Sequence, residues 1–313
     1  MPQPARSKTR TWTWRSQSFR GLVYQVLMIA AVAAGAGYLV HNTLVNMAAR
    51  GMQSGFGFLA GPAGFDIGES LIAYDALDPY WKAFLVGLLN TLRVALCGIA
   101  LATLAGLLLG VGRFSRNIIV RKLCYVYVEA FRNVPVLVQL LMWYLLLAEW
   151  LPRVDEPFTM GSALTLSKEG VSVYGVSASP EFLAVLLGLV LYTAAYIAEV
   201  VRAGIASVPH GQTEAAWSIG LSRGQSMRRV LLPQALRVII PPLTSQYLNL
   251  TKNSSLAVAI GYPELVSVTN TSLNQTGRAV ECIAVLMAVY LTTSLSTSAL
   301  MNAYNRRTAI KER

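Results

Sequence analysis

Long apolar runs separated by short polar segments dominate the pattern of hydrophobic positions along the chain. Six runs are long enough to cross a bilayer as helices, because a helical span needs roughly 20 residues. Pro135 interrupts the third run and predicts a kink, since proline removes a helical hydrogen bond and disfavours helix at Val134. We expect the fifth span to begin in earnest only after Pro241 and Pro242. The predicted spans cover approximately residues 22–45, 84–111, 123–148, 182–206, 236–260 and 282–304.

Small residues recur every four positions in the second predicted span, at Gly98, Ala102, Gly106 and Gly110. Small side chains let helix backbones approach closely in a bilayer, where lipid supplies no hydrophobic drive between helices. We therefore predict that this face is a helix-packing surface rather than a ligand site.

The six spans form one predicted transmembrane domain over residues 22–304, between basic cytoplasmic tails at 1–21 and 305–313. The first apolar run is longer than the core of a signal peptide, which has roughly 7–15 residues. We therefore predict an uncleaved span there rather than a cleaved leader. Three segments between spans are expected to be loops on the outer side of the membrane, at residues 47–82, 149–181 and 262–281.

Composition supports an all-α membrane protein rather than a soluble enzyme. The chain is 54% hydrophobic and only 13% charged, with a mean hydropathy of +0.49. Its three cysteines lack metal-type spacing, so neither a disulfide framework nor a metal site is predicted. The sequence has no P-loop motif, so any ATPase that drives this chain must be another polypeptide. No arrangement of Ser, His and acidic residues suggests catalysis.

The distribution of positive charge predicts the orientation of the spans. The net charge of +11 could suggest a nucleic-acid partner, but eighteen Lys and Arg residues fall on the side that holds both tails and the central loop. The opposite side has five. Because cytoplasmic loops carry the excess of Lys and Arg, both termini are predicted to be cytoplasmic and no nucleic acid is needed.

A loop predicted at residues 207–235 separates the fourth and fifth spans, and it contains a polar, basic stretch at residues 211–233. It predicts a first short helix over about residues 212–219 that stops at Gly220, because glycine takes the left-handed conformation at little cost. Ser222 is then expected to N-cap a second helix, with Gln225 completing a capping box. Pro233 either ends that helix or lies in the first turn of the next.

Two functional interpretations of this helix–turn–helix compete. The spacing of Ala216 and Gly220 fits a DNA-binding helix-turn-helix, whose tight turn needs small residues. That interpretation is weak, because the flanking segments are membrane spans. A more specific pattern comes from Glu214-Ala215-Ala216, Gly220 and Leu232-Pro233, which resembles the EAA…G…LP loop of ABC-importer permeases. Val230 departs mildly from that pattern, which prefers Ile.

The resemblance extends along the chain from about Tyr80 to Tyr304 and is closest to the polar amino-acid, histidine/glutamine-type permeases. It is carried upstream by Tyr196, Ile197, Ala198, Glu199, Arg202, Pro209, Gly211 and Gln212, and downstream by Lys252, Asn253, Ser254, Ser255 and Leu256. It implies a type I ABC-importer transmembrane domain in the bacterial inner membrane. The implied ATPase-coupling residues are Gly211, Gln212, Glu214, Ala215, Ala216, Gly220, Leu232 and Pro233.

The implied partners are an ABC ATPase dimer, a second permease and a periplasmic amino-acid-binding protein, together with membrane lipid and the amino-acid substrate. ATP and Mg²⁺ would bind the ATPase, and no cofactor is expected in this chain. The long acidic outer loops resemble those of permeases whose partner is a different chain. An ion-gradient-driven secondary transporter or channel is the alternative function.

Charged and polar residues within predicted spans are candidates for the substrate pathway, because such groups are costly in hydrocarbon. A zwitterionic amino acid offers an anion to Arg93 or Lys252 and a cation to Glu129. For the cluster around Lys252, bonding between helices is an alternative role of similar weight. Glu199 and Arg202 are instead expected to form a structural pair. The pathway candidates are Arg93, Glu129, Arg132, Gln246, Asn249, Lys252, Asn253 and Ser254.

Overall fold

The computed structural model describes residues 14, 16–49, 51, 54–161 and 163–308. The chain divides into two compact units, residues 1–55 and 56–313. Helix α1 (Gln17–Ala49) makes up most of the described part of the first unit, and the hydroxyl of Ser16 accepts a hydrogen bond from the amide of Phe19 at its start. The second unit contains the remaining helices and a small sheet.

Two long helices, α2 (Tyr80–Gly112) and α5 (Pro180–Ala206), form the centre of the second unit. The predicted small-residue face of α2 is the packing surface. A Cβ at Gly106 would lie 2.5 Å from Cγ2 of Ile197, and one at Gly110 would lie 2.6 Å from Cβ of Val201. Gly98 instead packs against Leu250. Glycine is therefore needed at positions 106 and 110 because α5 approaches too closely for any larger residue.

The third predicted span is two helices, α3 (Ile118–Asn133) and α4 (Val136–Trp150), bent by 104°. The predicted kink at Pro135 is thus a full break. The buried amide of Gln139 donates to the carbonyls of Phe131 and Val134, both at 3.0 Å. It thereby satisfies backbone acceptors that the break leaves without helical partners.

Helix α8 (Leu232–Asn253) corrects the predicted start of the fifth span. The helix continues through Pro241 and Pro242, and it does not begin after them. Pro241 and Pro242 have no amide hydrogen to donate to the carbonyls of Arg237 and Val238. All four of these residues are exposed. The lost bonds therefore fall on the side of α8 that faces away from the core. A 3-10 helix (Ser254–Ile260) follows α8 directly.

Within the described residues, four helices are long and apolar enough to cross a membrane. The bent pair of α3 and α4 makes a fifth if it counts as one span. The predicted span at 236–260 does not meet this criterion of length and composition, because α8 carries many polar residues and two internal prolines. The total of six spans therefore stays a prediction.

The segments predicted as plain loops contain regular structure. Residues 149–181 include an antiparallel sheet of strands β1 (Phe158–Met160), β2 (Leu164–Ser167), β3 (Gly170–Val173) and β4 (Val176–Ala178), paired in that order. Residues 262–281 include helix α9 (Leu265–Thr276), which precedes α10 (Ala279–Thr308). A 3-10 helix (Phe56–Ala60) lies before α2. The fold is thus mostly helical, as predicted, with a small sheet that was not.

Candidate functional site

The central helix–turn–helix forms as predicted. Helix α6 (His210–Ser218) begins two residues before the predicted start. The chain leaves the helix at Gly220, two residues after its last residue, where φ is +81°. The amide of Gly220 donates to the carbonyl of Trp217 at 2.9 Å, and the amide of Leu221 donates to that of Ala216 at 3.1 Å. These two bonds are a Schellman motif, which closes the last turn of α6.

The second half of the loop is continuous with α8. Ser222 and Gln225 form the predicted capping box at the start of α7 (Arg223–Ser226). A π-helical turn (Met227–Leu231) then leads directly into α8, with Pro233 in its first turn, the second of the two predicted placements. The amide of Leu232 donates to the carbonyl of Met227, five residues back. The loop is therefore attached rigidly to the helix that follows it.

Some of the predicted coupling residues are exposed, and the others are buried or lie at helix ends. Gly211, Gln212, Glu214 and Ala215 are exposed on α6, whereas Ala216 is buried. Gln212 also accepts a hydrogen bond from Gln234 of α8 at 3.3 Å. Gly220 lies at the end of α6, and Leu232 and Pro233 begin α8. The arrangement presents one short capped helix with a free outer face.

A carboxylate with three arginines joins α2, α3 and α5 near this loop. Glu199 forms the predicted pair with Arg202, whose Nε and Nη2 donate to Oε1 at 3.0 and 2.6 Å. Arg113, which was not predicted, donates to Oε2 at 2.6 Å, and Nη1 of Arg132 lies 3.9 Å from the same oxygen. The guanidinium of Arg132 also lies over the ring of Tyr196, at 5.4 Å. This cluster links the end of α2, the last turn of α3 and the C-terminal part of α5.

Arg93, near the middle of α2, belongs to a second network. Its guanidinium forms an ion pair with Glu69 and lies 4.0 Å from the ring centroid of Phe182. The carboxylate of Glu69 also accepts from the hydroxyl of Ser179, and its backbone carbonyl accepts from Asn90 at 2.7 Å. These contacts hold the segment before α2 against α2 itself and against the start of α5. Arg93 is therefore paired with the segment that precedes α2 in its own chain.

The structure separates two of the pathway candidates. Arg93 contacts Phe182, whereas Arg132 contacts Glu199, and these two α5 residues are 17 positions apart, or roughly 25 Å along a helix. One amino acid therefore cannot contact both arginines. Glu129 is half-buried on α3, and its backbone carbonyl accepts from Asn133 at 2.8 Å.

The polar candidates on α8 and the turn after it do not all point the same way. Asn249 and Lys252 are exposed on one face of α8, with Gln246 and Asn253 half-buried at its edge. Within the described residues, Nζ of Lys252 has no hydrogen bond or ion pair. Ser254, in contrast, is buried, and its hydroxyl donates to the carbonyl of Thr251 at 2.7 Å. Ser254 is thus a packing residue, and the open polar face is that of Asn249 and Lys252.

The protein-family description that matches residues 102–310 is the binding-protein-dependent transport system inner membrane component. The chain belongs to this family of permeases. It is 39% identical to the general L-amino acid transport system permease protein AapQ of Rhizobium johnstonii, over 96% of each chain. It is 35% identical to the glutamate/glutamine/aspartate/asparagine transport system permease protein BztB of Rhodobacter capsulatus, over 94% of this chain and 95% of BztB.

A solved structure supports the same assignment. The crystal structure of an amino acid ABC transporter with histidines superposes with a TM-score of 0.60 at 29% identity, covering 73% of this permease and 95% of that chain. The predicted type I fold is thereby confirmed. The permease contains two partners that sequence reasoning missed, Arg113 and Glu69. Both are charged residues in segments between predicted spans, but neither has a partner nearby in sequence that would indicate its role.

Proposed function

We propose that this permease moves polar amino acids inward across the bacterial inner membrane as one of two membrane subunits of an ABC importer. A periplasmic binding protein delivers the substrate, and a separate ATPase dimer that binds ATP and Mg²⁺ supplies the energy. The names of AapQ and BztB support an amino-acid cargo, and both relatives match over almost the whole chain. The long outer segments favour a second permease that is a different chain.

The observation that carries the proposal is the exposed face of α6. Glu214 and Ala215 are exposed on α6, whose end is fixed by the turn at Gly220. After that turn α7 continues through the π-helical turn into α8, and Gln234 of α8 donates a hydrogen bond to Gln212 of α6. A movement applied to α6 would therefore be transmitted to α8 as a unit. This is the mechanical property that coupling to an ATPase requires.

The exposed polar face of α8 supports a position for the substrate pathway along this helix. Asn249 and Lys252 are exposed there, while on the opposite side the hydroxyls of Tyr247 and Thr103 are 2.9 Å apart. An exposed ammonium cannot face hydrocarbon at low cost. We infer that this face lines a water-filled path where the second permease packs, with Gln246 and Asn253 at its edge. The remaining candidates, Arg93, Glu129 and Arg132, either line other parts of the pathway or hold together the helices around it.

The test is reconstitution of the complete transporter in proteoliposomes. Uptake of amino acids should require the binding protein, the ATPase and ATP together, and a hydrolysis-deficient ATPase is the matched control. Uptake by the purified permease alone, driven by an ion gradient, would contradict the proposal and favour a secondary transporter.

The orientation has its own test. Single cysteines at Asp66 and Asp155 should react with a membrane-impermeant thiol reagent from outside the cell, in a background without the natural cysteines. Cysteines at Met1 and Arg313 should react only after the membrane is opened, because the basic segments are retained inside. External labelling of either terminus would contradict the orientation.

A further inference from the structure

A small basic pocket opens beside the Glu199 cluster, at the coupling-loop end of α2, α3 and α5. Its volume is about 320 Å³, and it is lined by Arg113, Phe114, Arg121, Lys122, Tyr125 and Arg202. The residues come from three separate stretches of the chain, so the pocket exists only in the folded permease.

The positive charge of this pocket is only partly neutralised. The carboxylate of Glu199 contacts Arg113 and Arg202, while Arg113 also lies over the ring of Tyr125 at 5.3 Å. The side chains of Arg121 and Lys122 are exposed and have no ion pair within the part of the chain that the structure describes. Two arginines are thus held in fixed positions, and two further cations remain available to an anion.

An apolar stripe begins next to the pocket on α3. Ile119, Leu123 and Val126 are 64%, 65% and 62% exposed, and their spacing puts them on one side of the helix. The stripe runs from the pocket into the predicted third span. A soluble acidic protein surface that filled the pocket would leave this stripe without an apolar partner, whereas a lipid offers both an anionic group and hydrocarbon.

We propose that this pocket binds the phosphate of an anionic phospholipid, with the acyl chains lying along Ile119, Leu123 and Val126. Basic pockets between helices on the cytoplasmic side recognise anionic headgroups through charge and hydrogen bonds. Because the proposed orientation places the coupling-loop end in the cytoplasm, the lipid comes from the inner leaflet. It would bridge α2, α3 and α5 close to the loop.

Native mass spectrometry of the complete transporter tests the site. The assay compares retention of phosphatidylglycerol with that of phosphatidylcholine, and it includes inorganic phosphate as a competitor. The test variant is Arg121→Gln/Lys122→Gln, which removes two exposed cations. Arg228→Gln/Arg229→Gln is the matched control, because it removes the same charge from exposed loop residues that do not line this pocket.

We expect the wild-type transporter to retain phosphatidylglycerol over phosphatidylcholine, and the pocket variant to bind it about tenfold more weakly or worse, as loss of two cations near a membrane surface implies. The control variant should bind it as the wild type does. Assembly, measured by size exclusion, should be unchanged; if the double variant fails to assemble, Lys122→Gln alone gives the same readout.

Four results would overturn the site. The pocket variant could retain the lipid fully, or the control could lose it equally. Inorganic phosphate could displace phosphatidylglycerol from the pocket as readily as added lipid does, which would mean that the pocket is a site for a free anion. The complete transporter, which contains the ATPase, could show no preference for phosphatidylglycerol over phosphatidylcholine, which would mean that the pocket holds no anionic lipid.

Discussion

The turn at Gly220 allows a quantitative test of the coupling loop. Its φ of +81° is in the left-handed region, and the two hydrogen bonds that close α6 depend on it. A Cβ built at this position meets nothing within 4 Å. Any effect of a substitution must therefore come from the backbone and not from a clash with neighbouring side chains.

The magnitude follows from the conformational cost. An alanine held in the left-handed region costs about 1 kcal/mol, and a β-branched valine about 2 kcal/mol. At about 1.4 kcal/mol per tenfold change, the equilibrium constant for closing this turn would fall about fivefold in Gly220→Ala and about thirtyfold in Gly220→Val. Gly220→Asn should keep most of the closed turn, because asparagine tolerates this conformation.

The assay is ATP-driven uptake and ATP hydrolysis by the reconstituted transporter. We expect uptake to fall in the order Gly, Asn, Ala, Val while ATP hydrolysis and membrane insertion persist, because the loop no longer transmits the movement. Gly224→Val is the matched control: Gly224 lies in the same loop with no positive φ and nothing within 4 Å of a built Cβ. Normal uptake in Gly220→Val, or an equal loss in Gly224→Val, would refute the reasoning.

Three other substitutions test clusters away from this turn. Lys252→Met should leave assembly intact but reduce uptake of acidic, neutral and basic amino acids unequally, because a cation in the pathway discriminates substrates by charge. Lys168→Met is the control. An equal fall in uptake for all three classes would contradict direct contact between Lys252 and the substrate. Glu69→Gln should speed amide hydrogen exchange across residues 61–79, since it removes the charge that pairs with Arg93 at a cost of about 1–3 kcal/mol; unchanged exchange would count against that role. Burial raises the pKa of Glu264 to about 7, so the folded permease favours the neutral carboxyl and loses stability as the pH rises from about 4.5 through 7. Glu264→Gln should therefore raise thermal stability above about pH 8, by at most about 3 kcal/mol, with no gain below about pH 4; an equal gain at both pH values would argue against titration of this group.

The sequence by itself determined the features that depend on residues close together in the chain. Apolar runs indicated the long helices, and the four-residue repeat through Gly106 and Gly110 indicated the face of α2 that packs. Ser222 and Gln225, three residues apart, were sufficient to predict the capping box, and Pro135 predicted the interruption between α3 and α4. Each of these follows from backbone geometry within one or two turns, so distant parts of the chain cannot easily change it.

Only the tertiary structure decided which distant groups meet. The partner of Arg93 is Glu69, 24 residues away, and Arg113 is 86 residues from Glu199. A sequence shows these charges but not their separation in space, which depends on how α2, α3 and α5 pack. The strands β1–β4 were also decided by the tertiary structure, because three or four residues give too little periodicity to detect in a sequence. Helix α8 continues through its prolines because the lost hydrogen bonds fall on its exposed side. Packing and exposure, which are properties of the whole fold, decided each of these cases.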